Sequence, residues 1–222
     1  MDWVAFWLSI RLGFVTVLIL LPIGIGLGRW LAYGRFAAKG FVEAALALPL
    51  VLPPTVIGYY LLVSAGGATP LGQAWQGIFG KPLVFSFEGL VLASVIVNLP
   101  FAIQPMQRAF EAIAPDIREA GAVCGLSPVQ VFRRIELPLV WQGIVTGLVL
   151  TFAHTLGEFG VVLMVGGSIA GETKTLSIAI YDRVQAFETH QAGVMALSLL
   201  VISLFVLGIT YRLSARVGQR HG

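Results

Sequence analysis

Residues 108–138 read RAFEAIAPDIREAGAVCGLSPVQVFRRIELP, the longest polar stretch of an otherwise apolar chain. Pro115 and Asp116 sit where a first helical turn prefers them, and Ile117 to Cys124 reads as a short helix that Gly125 can end. A second start follows at once. Ser127 with Gln130 three residues on has the capping-box pattern, Pro128 takes the first helical position, and Val129 to Ile135 continues until Leu137-Pro138. The expectation is helix, glycine turn, helix, with the second helix closed by Leu137-Pro138. Periodicity alone makes this a surface hairpin joining two longer elements.

Those longer elements are apolar runs. Outward from the hairpin, residues 88–107 and 139–165 flank it, and residues 6–31, 41–65 and 192–213 have the same character. Each reaches or approaches the length that crosses about 30 Å of hydrocarbon at 1.5 Å per residue. Of 222 residues 57% are hydrophobic and 11% charged, against about 25% charged in a soluble domain. The expected fold class is therefore all-α integral membrane, with five spanning helices in a single domain over residues 1–222. Soluble enzymes, disulfide scaffolds and disordered chains are excluded, and the lone Cys124 fits no metal-ligand spacing. The first run is read as a permanent helix, because Asp2 is the only charge before Arg11 and no basic leader precedes the apolar stretch.

Charge placement orients the spans. Arg29, Arg35, Lys39, Arg108, Arg118, Arg133, Arg134, Arg212, Arg216 and Arg220 fall on one side, and only Lys81, Lys174 and Arg183 on the other. The positive-inside rule puts the hairpin and the C-terminus in the cytoplasm and the N-terminus outside. Net charge of +3 is thus a topological signal and calls for no nucleic acid.

Helix breakers and polar groups within the spans mark a candidate pathway. Pro49, Pro53 and Pro54, with Thr55 after them, interrupt the second run, and Asn98, Pro100, Gln104 and Pro105 are expected to interrupt the third. Irregular backbone at membrane depth persists only where protein or a water-filled cavity satisfies it. On the fourth run His154 and Glu158 share a face with Thr151 and Thr155. A lone carboxylate there needs a partner, and interhelical hydrogen bonding suits Glu158 better than contact with an anion. Arg11 is expected to snorkel to the outer interface. Leu176, Ile180, Val184 and Phe187 form one stripe of an external amphipathic helix, and Gly66 to Phe87 completes an external cap.

Glu119-Ala120-Gly121, three residues, Gly125, nine residues, Ile135, one residue and Leu137-Pro138 resembles the EAA loop of binding-protein-dependent ABC transporter permeases, EAA-x3-G-x9-I-x-LP. Every spacing matches, and Gly121 in place of the second alanine is the one departure. Val51 to Gly58 is similar to the second helix of the oxyanion branch, while Leu156 to Gly160 and Gly171 to Thr175 look like the molybdate permease subunit.

The resemblance implies a type I importer fold. It also implies two copies of the permease around one pathway, a cytoplasmic ATPase dimer docked on the EAA loops, and an external molybdate-binding protein. Glu119, Ala120, Gly121, Gly125, Leu126, Phe132, Ile135, Leu137 and Pro138 become candidate coupling residues, with Leu126, Val129 and Phe132 as the apolar contact and Arg133 and Arg134 as its rim. No Walker A pattern occurs, so the chain is expected to hold no cofactor, with ATP and magnesium on the partner. Sulfate or tungstate permeases share much of the helix pattern. An ion-coupled secondary transporter would show paired intramembrane charges or an internal repeat, and a membrane enzyme a convergent catalytic set; neither is evident.

Overall fold

The computed structural model describes residues 1–218, and all their side chains except those of Ala122 and residues 209–218. Arg212, Arg216 and Arg220, which enter the charge argument, lie outside the described side chains. Eleven helices are present among the described residues: α1 Trp3–Tyr33, α2 Lys39–Val51, α3 Pro54–Ala65, α4 Pro70–Phe79, α5 Phe87–Glu111, α6 Pro115–Val123, α7 Pro128–Val131, α8 Leu137–Gly157, α9 Gly160–Gly166, α10 Leu176–Gln185 and α11 Thr189–Gly218. A π-helical turn, Phe132–Glu136, joins α7 to α8.

Four stretches are long and apolar enough to span a membrane: α1, α5, Pro128–Gly157 and the Thr189–Gly208 part of α11. The pair α2 and α3 supplies a fifth, bent by 109°. The bend has a local cause. Leu52 precedes Pro53 and Pro53 precedes Pro54, and a residue before proline is driven to extended backbone. Leu52 has ψ 140° and Pro53 ψ 134°, so the helix stops and Pro54 opens a new one.

In the third span the prolines do not interrupt. Pro100 and Pro105 lie inside α5, which runs unbroken for 25 residues. Its neighbours hold it on both sides through small residues one turn apart. A Cβ on Gly24 or Gly28 of α1 would lie 2.8 Å from Met106 Sδ or 3.0 Å from the Gln107 nitrogen. On α8, a Cβ at Gly143 would meet the Pro105 carbonyl at 2.7 Å, and one at Gly147 the Ala102 carbonyl at 2.9 Å. This is the close approach that small residues give spanning helices, and it holds α5 between α1 and α8 at the centre of the fold.

The fourth span also departs from the expected 139–165. It begins as early as Pro128, because the helix passes through Leu137-Pro138, and it ends at Gly157, where Glu158 turns to ψ 126°. Helix α11 packs on α8 and α10 and leaves Leu197, Leu200, Leu204 and Phe205 exposed, as suits a lipid-facing helix. The two ends of the bundle differ. At one, the Leu176 N–H at the start of α10 donates to Ser9 Oγ near the start of α1, at 2.8 Å. At the other, Tyr33 Oη at the end of α1 donates to the Phe110 carbonyl at 3.2 Å, beside the hairpin.

Candidate functional site

The hairpin is built by its termini. Gly125 has φ +75°, a left-handed conformation that glycine adopts without penalty. The Leu126 N–H reaches the Gly121 carbonyl at 3.1 Å across it, closing α6 in a Schellman arrangement. Both halves of the capping box are present: the Gln130 N–H donates to Ser127 Oγ at 3.3 Å, and the Ser127 N–H to Gln130 Oε1 at 2.8 Å. Gly121 is buried, and a Cβ there would lie 2.7 Å from Ile135 Cδ1. That contact lets α6 lie close on the π-turn, and an alanine here would require the end of the Ile135 side chain to shift.

Exposure sorts the coupling candidates. Glu119, Ala120 and Pro138 are exposed, whereas Leu126, Ile135 and Leu137 are half-buried. Phe132 turns inward against the cluster of Phe110, Ile113 and Val140. Among the described residues, the large apolar side chains that the hairpin exposes are Ile117, Val123 and Val129, with Val123 88% exposed. Of these only Val129 was expected.

Leu137-Pro138 does not end the helix. The Leu137 N–H bonds to the Phe132 carbonyl, five residues back. A proline ring crowds the carbonyl four residues back, and the π-turn lies over that carbonyl, at Arg134. The chain therefore passes from the hairpin into α8 as one rod. Such π-turns frequently mark functional segments.

Inside this turn Glu136 is fully buried. Arg29 Nε of α1 donates to its Oε2 at 2.5 Å and Arg29 Nη2 to Oε1 at 3.3 Å. Arg118 Nε of α6 donates to Oε1 at 3.0 Å, and the Arg118 guanidinium lies 3.6 Å from the centre of the Tyr33 ring. One carboxylate thus joins α1, the hairpin and the rod. Sequence reading passed over Glu136, which occupies the undefined position of the loop pattern; the available signal was an acidic residue bordering an apolar run.

The second site is an open cleft of about 750 Å³ where the two helix breaks meet. Pro49, Pro54, Thr55 and Glu158, four of the pathway candidates, line it, together with Phe101 and His154. Pro53 is exposed at the break itself. Asn98 and Thr151 are fully buried and do not reach the cleft; Asn98 Oδ1 instead holds His154 Nδ1 at 3.1 Å. Glu158, 5% exposed, has its Oε2 3.4 Å from the same nitrogen. His154 stands four positions back on the same helix, so this contact of the carboxylate is not the interhelical one expected; between helices, the Ser177 hydroxyl of α10 donates to the Glu158 backbone carbonyl at 2.6 Å. Gln104 lies elsewhere, beside a hollow of about 310 Å³ near the hairpin end. There the Gln107 amide donates to Glu43 at 2.7 Å and to Glu111 at 2.9 Å.

At the far end Arg11 lies 4.3 Å from the centre of the Phe87 ring. The amphipathic stripe at this end is shorter than its sequence pattern. Leu176 is buried and Ile180 half-buried, but Phe187, at φ +59° beyond the end of α10, is 90% exposed.

Residues 21–219 match the family described as binding-protein-dependent transport system inner membrane component. The chain is 44% identical to the molybdenum transport system permease protein ModB of Azotobacter vinelandii, over 95% of this chain and 93% of that protein. It is 37% identical to the putative molybdenum transport system permease protein YvgM of Bacillus subtilis, over 90% and 88%. In fold it is similar to a bacterial alginate ABC transporter crystallised with an alginate pentasaccharide-bound periplasmic protein, with a TM-score of 0.75 at 17% identity, covering 96% of this chain and 78% of that one. The all-helical fold with its apolar spanning helices agrees with these matches, and the chain belongs to the family of inner-membrane permease subunits of binding-protein-dependent ABC importers.

Proposed function

We propose that this chain is the membrane subunit of a molybdate importer that also carries tungstate. Two copies enclose the pathway, a separate cytoplasmic ATPase dimer docks on the two hairpins, and an external binding protein delivers the anion. ATP and magnesium belong to the ATPase. The observation that carries the coupling role is the continuity of the hairpin with α8 through the π-turn: a force on Val123 and Val129 at the hairpin surface acts directly on a spanning rod that ends at the cleft. The substrate follows from the molybdenum permeases with which the chain shares 44% and 37% identity over nearly its whole length. The orientation follows from Lys and Arg placement. Tetrahedral dianions of similar size are poorly separated by pathway width, so discrimination falls to the binding protein, where desolvated donors surround one oxyanion.

The test is uptake of radiolabelled oxyanion into liposomes holding this permease and its ATPase, supplied in turn with molybdate-loaded and sulfate-loaded binding proteins. ATP-dependent accumulation with the molybdate receptor alone is expected. Accumulation with the sulfate receptor alone refutes the substrate and leaves the importer role intact.

A further inference from the structure

Among the described residues that line the 750 Å³ cleft none is Lys or Arg, and His154 is the one that can become a cation. Its surroundings determine which ring nitrogen carries the proton. The Thr155 hydroxyl donates to the Thr151 carbonyl at 2.8 Å, so its oxygen accepts from Asn98 Nδ2 at 3.2 Å. Asn98 Nδ2 also donates to the Ser94 carbonyl at 2.8 Å. With both amide hydrogens committed, Asn98 Oδ1 offers only lone pairs to His154 Nδ1 at 3.1 Å. The neutral ring is therefore protonated on Nδ1, and Nε2 is an acceptor.

His154 lines the cleft. The His154 side chain is 36% exposed, and among the described residues its Nε2 is neither hydrogen-bonded nor a buried unpaired atom. A fully ionised oxyanion presents acceptors only and finds no donor at a neutral His154. A second proton changes the contact: Nε2 becomes a donor and the ring a cation. Glu158 Oε2, 3.4 Å from Nδ1, is then its counter-charge, with Phe101 stacked on the ring at 4.2 Å between centroids. Glu158 is the only other titratable group among those lining the cleft. Asn98 and Phe101 of α5, which touch the ring, and Pro54 and Thr55 of α3, which line the same cleft, carry no charge.

Resting on the oxyanion reading above, we propose that His154 binds the transported oxyanion together with one proton. A hydronium ion of the aqueous phase gives the proton to Nε2 and leaves as water, and the Nε2–H then donates to an anion oxygen. A singly protonated oxyanion that donates its O–H to Nε2 has the same composition, and either form leaves the contact with its proton. The contact thus selects anions that are paired with a proton.

The experiment uses the whole importer in liposomes, with equal pH on both sides stepped downward from about 8.5 through and below the range of a free imidazole. Uptake of labelled molybdate from its binding protein is measured. Each variant is divided by wild type, which cancels the pH responses of the ATPase and the receptor. His154→Phe is expected to lower uptake at acid pH by roughly tenfold or more, the loss of one charge-assisted hydrogen bond. His154→Gln, whose amide donates without a proton, is expected to abolish the rise of uptake on acidification. Glu158→Gln is expected to weaken the rise of uptake on acidification, because the counter-charge beside Nδ1 is gone. Copurifying ATPase confirms assembly of each variant, and if Glu158→Gln fails to assemble the His154 pair decides. A His154→Gln profile that overlays wild type overturns the proposal while the importer reading stands. Wild-type liposomes that accumulate no oxyanion with any receptor overturn both.

Discussion

Arg29 Nε and Glu136 Oε2 are 2.5 Å apart although 107 positions separate the residues in the chain. The pair fastens the end of α1 to the segment between hairpin and spanning rod, and Arg118 extends it into α6. A fully buried carboxylate persists as a charge only when it is paired. Displacement of the hairpin therefore pulls on α1 as well as on α8.

Removing the carboxylate leaves two guanidinium groups facing one apolar pocket. Breaking a buried pair costs about 3–5 kcal/mol; because Arg29 and Arg118 are about a third exposed, the lower end applies. Glu136→Ala is expected to lower the thermal midpoint of the purified permease clearly. Combining Glu136→Leu with Arg29→Met and Arg118→Met is expected to recover most of it, since apolar replacement of a buried ion cluster is often neutral. Equal melting of wild type and Glu136→Ala would remove the cluster from any account of stability.

Gly125 separates conformation from space. A Cβ there meets nothing within 4 Å, and φ is +75°, so the penalty of a side chain is conformational, about 1–2 kcal/mol for an ordinary L-residue. Asparagine tolerates this region. Gly125→Asn should keep the ATPase bound, whereas Gly125→Val should release it by distorting the turn, and Gly125→Asp should weaken docking through its added charge. Copurification of the ATPase with each variant is the measurement, and retention by the valine variant would contradict the turn's role.

What could be read in the chain follows the range of the forces involved. The capping box and the Gly125 turn are set by neighbours three to six positions away and were legible. So was the presence of four apolar spans and a fifth, broken one, though not their ends, since accumulated hydropathy places a span without fixing where its helix stops. Pro53-Pro54 and Pro100 with Pro105 look alike in sequence, yet only the first breaks its helix. Adjacent prolines act on their own backbone, whereas α5 is held by glycines of α1 and α8 far away in the chain. The stop at Gly157 lies inside a continuous apolar run, and the partners of Glu136 come from 107 and 18 positions away. Tertiary placement of that kind leaves no local signature.

The glycines of the helix interfaces offer a paired test. A Cβ at Gly143 would stand 2.4 Å from Ala109 Cβ and 2.7 Å from the Pro105 carbonyl, so α8 and α5 must separate to admit it. At Gly26 nothing lies within 4 Å, and alanine there brings only its better helix propensity, up to about 1 kcal/mol. Gly143→Ala is expected to lower the melting temperature in detergent, and Gly26→Ala to leave it unchanged or raise it. Equal melting of the two variants would refute the close crossing.

The last prediction concerns which end of the bundle faces the cytoplasm, and the chain carries one thiol for it. Cys124 is exposed and adjoins the turn glycine of the hairpin. Arg29 and Arg118 lie at this same end, and Lys81 paired with Glu88 at the opposite one. If the positive-rich end is inside, a membrane-impermeant maleimide leaves Cys124 unmodified in sealed cells and labels it once the membrane is opened. If the ATPase docks on the hairpin as proposed, labelling of opened membranes should rise again after the ATPase is stripped away. A cysteine introduced at Phe187, which is 90% exposed at the far end, in a Cys124→Ser background, should show the reverse pattern. Labelling of Cys124 in sealed cells, with protection of the Phe187 position, would invert the orientation and remove the hairpin from the reach of any cytoplasmic ATPase.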